Sequence, residues 1–230
     1  MRASSTWCSL SSGQGESAFN MALDEALVEA LPRIGQLVLR FYGWVEPAAT
    51  FGYFQKYAEV ERWTRLRPLV RRPTGGGLVP HETDWTYSLA IPASHEWYGL
   101  AAVESYRRIH VWIQEAFASV GVETELAREE QVAGPGQCFV GCAPSDVLWR
   151  GQKIAGAAQR RRREGLLIQG SVQPPPLSLV RADWERGMCT VAHRQHGIEW
   201  IELELDSAIR HRALKLAAQK YSQPAFNRWR

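Results

Sequence analysis

The sequence predicts an α+β fold of mixed, mostly antiparallel sheets packed with helices. Three observations carry this expectation. Apolar residues recur at helical spacing in three long stretches, and several short apolar or alternating stretches are joined by tight-turn residues. These helices and strands follow one another without the regular alternation that builds a doubly wound sheet.

Residues 17–32 (SAFNMALDEALVEALP) read as the first helix: Leu23, Leu27 and Leu31 recur at i, i+4 and i+8. Ser17 or Asn20 is suited to cap its start, and Pro32 is expected to end it. Residues 37–44 and 49–54 read as strands with a turn near Glu46-Pro47. Residues 69–80 (LVRRPTGGGLVP) read as a short strand, a glycine loop and a return. Trp85, Tyr87, Leu89 and Ile91 then alternate on one face of a strand. In AAVESYRRIHVWIQEAFASV, Tyr106, Ile109, Ile113, Phe117 and Val120 form the buried stripe of a helix that Gly121 stops. Residues 134–146 read as a loop. Residues 147–172 read as three strands with turns at Arg150-Gly151 and at residues 163–165, before Pro174, Pro175 and Pro176 break the sheet. DSAIRHRALKLAAQKY reads as a C-terminal helix capped by Asp206 or Ser207.

Composition narrows the function. A length of 230 residues suits one large domain with a sizeable core. With 45% hydrophobic and 22% charged residues, the chain has an ordinary globular mixture. A net charge of +3 is too small for a protein that coats nucleic acid. Cys8, Cys138, Cys142 and Cys189 are too few and too scattered for a disulfide framework. No apolar run approaches the ~20 residues of a membrane span, and the first residues lack a secretory apolar run. A soluble, cytoplasmic enzyme or binding domain is expected, with neither nucleic acid nor membrane as partner. The ten tryptophans have no functional account at this level.

Three clusters are candidates for chemistry. Arg71-Arg72-Pro73-Thr74-Gly75-Gly76-Gly77 with His81 is either a glycine-lined cradle for an acyl chain, phosphate or pantetheine arm, or a hairpin turn beside two solvated arginines. Cys138 is either a nucleophile activated by the cation of Lys153 or a small buried hydrophobe. Its spacing to Cys142, with no second ligand pair nearby, is poor for zinc, and no metal site is expected. The Arg160-Arg161-Arg162-Arg163 run is either a solvated turn or a docking patch for an acidic macromolecule.

Taken in order, these segments resemble the lipoate–protein ligase / octanoyltransferase family, which shares its catalytic fold with biotin protein ligases. SAFNMALDEAL is similar to the family's N-terminal helix, and RRPTGGGLVPHETDWTYSL to its RRxTGGxxVxH signature and following strand. CFVGCAPSDVLWRGQKIAGAAQRRRREGLLIQGSV is similar to its Cys-Phe, Lys-Ile/Val-x-Gly-x-Ala-Gln-Arg-Arg and Gln-x-Gly-Ser segments. Together the matches span residues 17–172. The chain departs from the octanoyltransferase pattern at Leu78 and Pro80, and where Gln169 precedes Gly170 with no histidine between them.

The resemblance implies acyl transfer in lipoate biosynthesis and protein lipoylation. Cys138 lies fifteen residues before Lys153, matching the nucleophile of cysteine-dependent octanoyltransferases. After Val172 only 58 residues remain, so a single catalytic domain without the ligases' accessory domain is expected. The implied activity moves octanoyl or lipoyl from an acyl carrier protein, through a Cys138 thioester, to a lysine of a lipoyl domain such as glycine cleavage H protein or dehydrogenase E2. No cofactor is expected, because a thioester is already activated. Arg72, Thr74, Gly75, Gly76, Gly77, His81, Gly156 and Ala157 are the implied substrate-binding residues. An ATP-dependent lipoate ligase, an octanoyl amidotransferase between lipoyl-bearing proteins and a non-catalytic acyl or lipoyl-domain binder are the alternatives.

Overall fold

The computed structural model describes residues 6–131, 136 and 138–229. Strand β1 (Thr6–Gly15) leads into helix α1 (Ser17–Ile34), which returns the chain to β2 (Val38–Trp44) parallel to β1. Parallel neighbours require such a crossover, whereas a tight turn joins only antiparallel strands. From β2 the sheet continues antiparallel through β6 (Trp85–Pro92), β10 (Gly165–Val172), β9 (Gln152–Arg161), β8 (Val147–Trp149) and β7 (Glu125–Leu126). On its other side β11 (Glu199–Glu202) runs parallel to β1. A smaller sheet has β3 (Ala48–Phe51) at its centre, with β4 (Leu69–Arg71) parallel and β5 (Val79–His81) antiparallel to it.

Helices cover both faces of the large sheet. On one face Trp85, Tyr87, Leu89 and Ile91 meet Ile109, Ile113 and Phe117 of α3 (Ala102–Ser119) and Trp184, Met188 and Val191 of α4 (Arg181–His196). On the other, Val38, Tyr42, Ala90 and Leu167 meet Leu23, Leu27 and Leu31 of α1 and Ile209, Ala213 and Leu216 of α5 (Ser207–Leu216). The small sheet packs Ala49, Phe51 and Leu69 on Val60 of α2 (Tyr57–Trp63). A short α6 (Pro224–Asn227) follows. Five of the tryptophans (Trp7, Trp85, Trp97, Trp112 and Trp184) enter the first of these cores. Each buries roughly 150–250 Å² of surface, which gives them a packing role. Among the described residues no helix is long and apolar enough to cross a membrane.

The mixed, mostly antiparallel α+β architecture is as the sequence predicts, and so are the three strands of residues 147–172, α3, and the Asp206 cap, whose carboxylate accepts the Ile209 N–H at 2.8 Å. Several expectations are corrected. Glu16, with no side-chain hydrogen bond, precedes α1 in place of a Ser17 or Asn20 cap. Asn20 instead donates to the carbonyls of Gly15 and Gly43. Pro32 lies inside the last turn of α1, which ends at Gly35 in the left-handed region (φ 72°). The strand expected over residues 49–54 stops at Phe51. The strand and return flanking the glycine loop both pair with β3, not with each other. The loop expected over residues 134–146 lies partly outside the described residues.

Candidate active site

Because β4 and β5 flank β3, the chain between them must cross from one edge of the small sheet to the other. Arg72 staples this crossing. Its Nη2 donates to the carbonyls of Gly75 (2.6 Å) and Gly77 (2.7 Å), its Nε to Gly75 (3.1 Å), and its Nη1 to the Thr50 carbonyl (3.3 Å). Burial among neutral acceptors lowers the guanidinium pKa to about 10, although Cys138 and Tyr42 favour its charge. Gly77 permits a close approach: a Cβ there would lie 2.7 Å from the Gly136 carbonyl oxygen. That carbonyl accepts the Leu78 N–H at 2.7 Å, and the Cys138 N–H donates to Leu78 at 3.0 Å. The glycine loop and the Cys138 loop are therefore strapped backbone to backbone. Gly75 needs no such freedom, since a Cβ there meets open space.

The straps bring Cys138 to Lys153, the second residue of β9. Nζ of Lys153 lies 3.5 Å from Sγ of Cys138 and 2.7 Å from a carboxylate oxygen of Asp146. Asp146 is fully buried and also accepts the Ala143 N–H at 2.7 Å and the Tyr106 hydroxyl. Burial opposes the charge on Lys153, but Cys138 and Asp146 outweigh it and hold the ammonium above the usual lysine range. Gly156 leaves room for the lysine stem: a Cβ there would lie 2.7 Å from Cε of Lys153.

Cys138 stands where two crevices meet. The inner one is walled by Met21, Trp44, Val79 and Ala158 and reaches Arg72, His81, Gly156 and Gln169. The outer, more open one includes Gly77, Val103, Tyr106 and Lys153. Gly76, Cys138 and Ala157 line both. Thr74 and Gly75 line neither.

A buried polar network underlies the inner crevice. Asp24 of α1 accepts Nη1 of Arg40 (2.7 Å), the Ser88 hydroxyl (2.6 Å), the Tyr42 hydroxyl (3.1 Å) and the Gln169 amide (2.7 Å). Gln169 in turn accepts the Thr74 hydroxyl at 2.7 Å, so Thr74 anchors the glycine loop from below. His81 stacks on Trp44 at 3.8 Å and spends both ring nitrogens, on Asp84 (2.9 Å) and Thr50 (2.8 Å). Burial raises the pKa of Asp84, yet His81, Ser171 and Thr86 together hold it below the ordinary carboxylate value.

Sequence reasoning missed Asp24, Arg40, Asp84 and Asp146. Asp24 carried a signal, because it sits at helical spacing from Leu27, Val28 and Leu31, inside an apolar stripe. Gly52 was missed as well; a Cβ there would lie 1.9 Å from the Gly76 carbonyl oxygen. The arginine run is mostly tied down. Arg160 donates to the Pro73 carbonyl (3.0 Å), Arg161 to that of Leu100 (2.7 Å), and Arg162 pairs with Glu25 (2.7 Å). Arg163, 94% exposed at its side chain, reaches its neighbour Glu164 at 3.5 Å. Among the described residues no group of three His, Cys, Asp or Glu side chains is placed to hold a metal ion.

The chain is 35% identical over 180 residues to a Kyrpidia tusciae protein named octanoyltransferase LipM, covering 73% of this chain and 65% of that one. It thus spans just under two thirds of that relative's length. A candidate lipoate protein ligase from T. acidophilum, solved with bound lipoic acid, superposes with a TM-score of 0.81 at 18% identity, over 98% of this chain and 100% of that chain. A bi-partite lipoate protein ligase from Thermoplasma acidophilum, described with its E2 lipoyl domain, gives a TM-score of 0.74 at 16% identity, over 97% and 96%. These two establish the fold. Residues 16–173 match the family described as the lipoyl protein ligase A/B catalytic domain, a span that contains every side chain of the Cys138–Lys153–Asp146 cluster. The chain belongs to that family.

Proposed function

We propose that this protein is a cysteine-dependent acyltransferase that moves an octanoyl group from an acyl-carrier thioester to a lysine of a lipoyl domain. One observation carries the reading: the Lys153 ammonium lies 3.5 Å from the Cys138 thiol where the two crevices meet. A thiolate is the competent nucleophile, and an adjacent cation favours it. The apolar inner crevice suits the acyl chain, and the wider outer cleft suits the carrier's arm and then the acceptor lysine.

In the first step Sγ of Cys138 attacks the thioester carbonyl carbon. The new S–C bond forms as the carrier's C–S bond breaks, and the carrier leaves as a thiolate that takes up a proton. The Lys153 ammonium donates toward the carbonyl oxygen as negative charge develops there. In the second step a neutral ε-amine of the acceptor attacks the acyl-Cys138 carbonyl. The amide bond forms, Cys138 leaves as thiolate, and the amine's proton passes to water, replacing the one the carrier thiolate took up. Asp146 keeps Lys153 charged and in place throughout. Exchange of one thioester for another and then for an amide needs no ATP.

The name of the Kyrpidia relative supports the octanoyl donor, and the lipoyl domain described with the Thermoplasma ligase supports the acceptor class. The test is to incubate the protein with octanoyl-carrier thioester and an unmodified lipoyl domain, without ATP, and weigh the lipoyl domain. Octanoylation is expected. Modification that instead requires free octanoate or lipoate plus ATP would assign the site to a ligase.

A further inference from the structure

Gln55 lies outside every motif of the sequence, in the loop that follows β3. Its side chain bridges two backbones. Oε1 accepts the Gly52 N–H at 2.8 Å, and Nε2 donates to the Gly136 carbonyl at 2.9 Å. The amide orientation is forced, because one partner can only donate and the other only accept. We infer that Gln55 is a positioning residue for the nucleophile, fixing the Cys138 loop against the glycine loop.

Three further observations support the assignment. First, the Gly136 carbonyl also accepts the Leu78 N–H at 2.7 Å, and Leu78 in turn accepts the Cys138 N–H at 3.0 Å. Gln55 therefore holds the end of a short hydrogen-bonded ladder that terminates at the nucleophile. Second, Gly136 is closely confined: it has φ 80°, and a Cβ there would lie 2.2 Å from the Trp63 ring and 3.0 Å from Nε2 of Gln55. Third, the backbone of Gln55 is itself fixed. Its carbonyl accepts Nη1 of Arg71 at 2.7 Å, and Arg71 also donates to Tyr53 (2.6 Å), Phe226 (3.2 Å) and Asn227 (2.9 Å). Asn227 returns the grip by accepting the Arg71 N–H at 2.8 Å. The first arginine of the RRPTGGG segment thus places the glutamine, while the second staples the glycine loop.

No other side chain of this length does both jobs. Glutamate keeps the acceptor for Gly52 but turns an oxygen toward the Gly136 carbonyl, and methionine keeps only the length. Either change frees the Cys138 loop to drift from Lys153, and a misplacement of about 1 Å costs on the order of 100-fold in rate.

The inference rests on the acyl-transfer reading only for its kinetic readout. Gln55→Met and Gln55→Glu are compared with the parent for acylation by octanoyl-carrier thioester and for amide hydrogen exchange at Leu78 and Cys138. Both variants are expected to keep the parent's far-UV spectrum and donor KM within about twofold, to lose roughly 100-fold in kcat, and to exchange faster at both amides. A folded Gln55→Met protein with parental kcat overturns the assignment, as does parental exchange at Leu78 and Cys138. If the parent itself is never acylated, the octanoyl reading fails and the exchange result alone decides the role of Gln55.

Discussion

Asp24 on α1 and Gln169 on β10, 145 residues apart in the chain, are joined by a 2.7 Å hydrogen bond from the Gln169 amide to the Asp24 carboxylate. Gln169 passes the restraint to Thr74, so a carboxylate inside the first helix helps set the height of the glycine loop. The same carboxylate is the counter-charge of Arg40, whose side chain is 1% exposed. Asp24→Asn leaves that guanidinium buried without a charge partner, a change that typically costs about 3–5 kcal/mol. Urea unfolding of the variant should show a loss of that size; a loss below about 1 kcal/mol would contradict the pairing.

The three glycines of the loop are not equivalent. Gly75→Ala meets open space at a position without positive φ, so kinetics and stability should match the parent. Gly77→Ala pushes a methyl to 2.7 Å from the Gly136 oxygen and must spread the two loops. A drop of about 10–100-fold in Cys138 acylation is expected for Gly77→Ala alone. Equal effects at the two positions would show that the loop acts through flexibility, not through close approach.

The Lys153–Asp146 pair sets an alkaline limit. The folded pKa of Lys153 lies above the lysine value, with burial opposing and Cys138 and Asp146 prevailing. Its stabilising contribution is therefore fully present below the unfolded value of about 10.4 and is lost as pH rises through the folded one. Asp146→Asn removes one of the two supporting charges while the burial remains. The alkaline fall in acylation rate should move to lower pH, and an unmoved profile would mean that Asp146 does not support the lysine's charge.

The arginine turn divides into structural and surface members. Arg162 pairs with Glu25, which also accepts Lys220 at 2.6 Å, so Arg162→Ala should lower the melting temperature with little change in KM. Arg161→Glu combined with Arg163→Glu gives up the exposed Arg161–Leu100 hydrogen bond and should lower melting less than Arg162→Ala does. It should raise KM for an acidic carrier at low salt and flatten its salt dependence. Unaltered KM in the double variant would make the turn a solvated hairpin only.

The sequence made the hairpins of residues 147–172 and helix α3 legible because strong period and turn chemistry coincide there. The pairing of Cys138 with Lys153 was an expectation from the family resemblance, and the structure places the two side chains 3.5 Å apart. Strand β1 was hidden by its own residues: SSGQG within it has the composition of a loop, and only pairing with β2 and β11 makes it a strand. In α4, Trp184, Met188, Val191 and Ala192 do fall at helical spacing, but they are diluted by charged neighbours and by Gly187. Pro32 misled because its missing N–H falls in a last turn, where the helix loses one bond and continues to Ile34. Asp146 and Gln55 were illegible for another reason. Asp146 acts through the side chains of Lys153 and Tyr106, and Gln55 through two backbone groups from distant segments, and no local pattern encodes either meeting.

Intact-mass measurement after mixing the protein with octanoyl-carrier thioester, in the absence of any acceptor, tests the central claim most directly. One octanoyl adduct should form on the parent protein, map to Cys138, and be absent from Cys138→Ala. A parent that stays unmodified, or a Cys138→Ala variant that still carries the adduct, would contradict the cysteine mechanism.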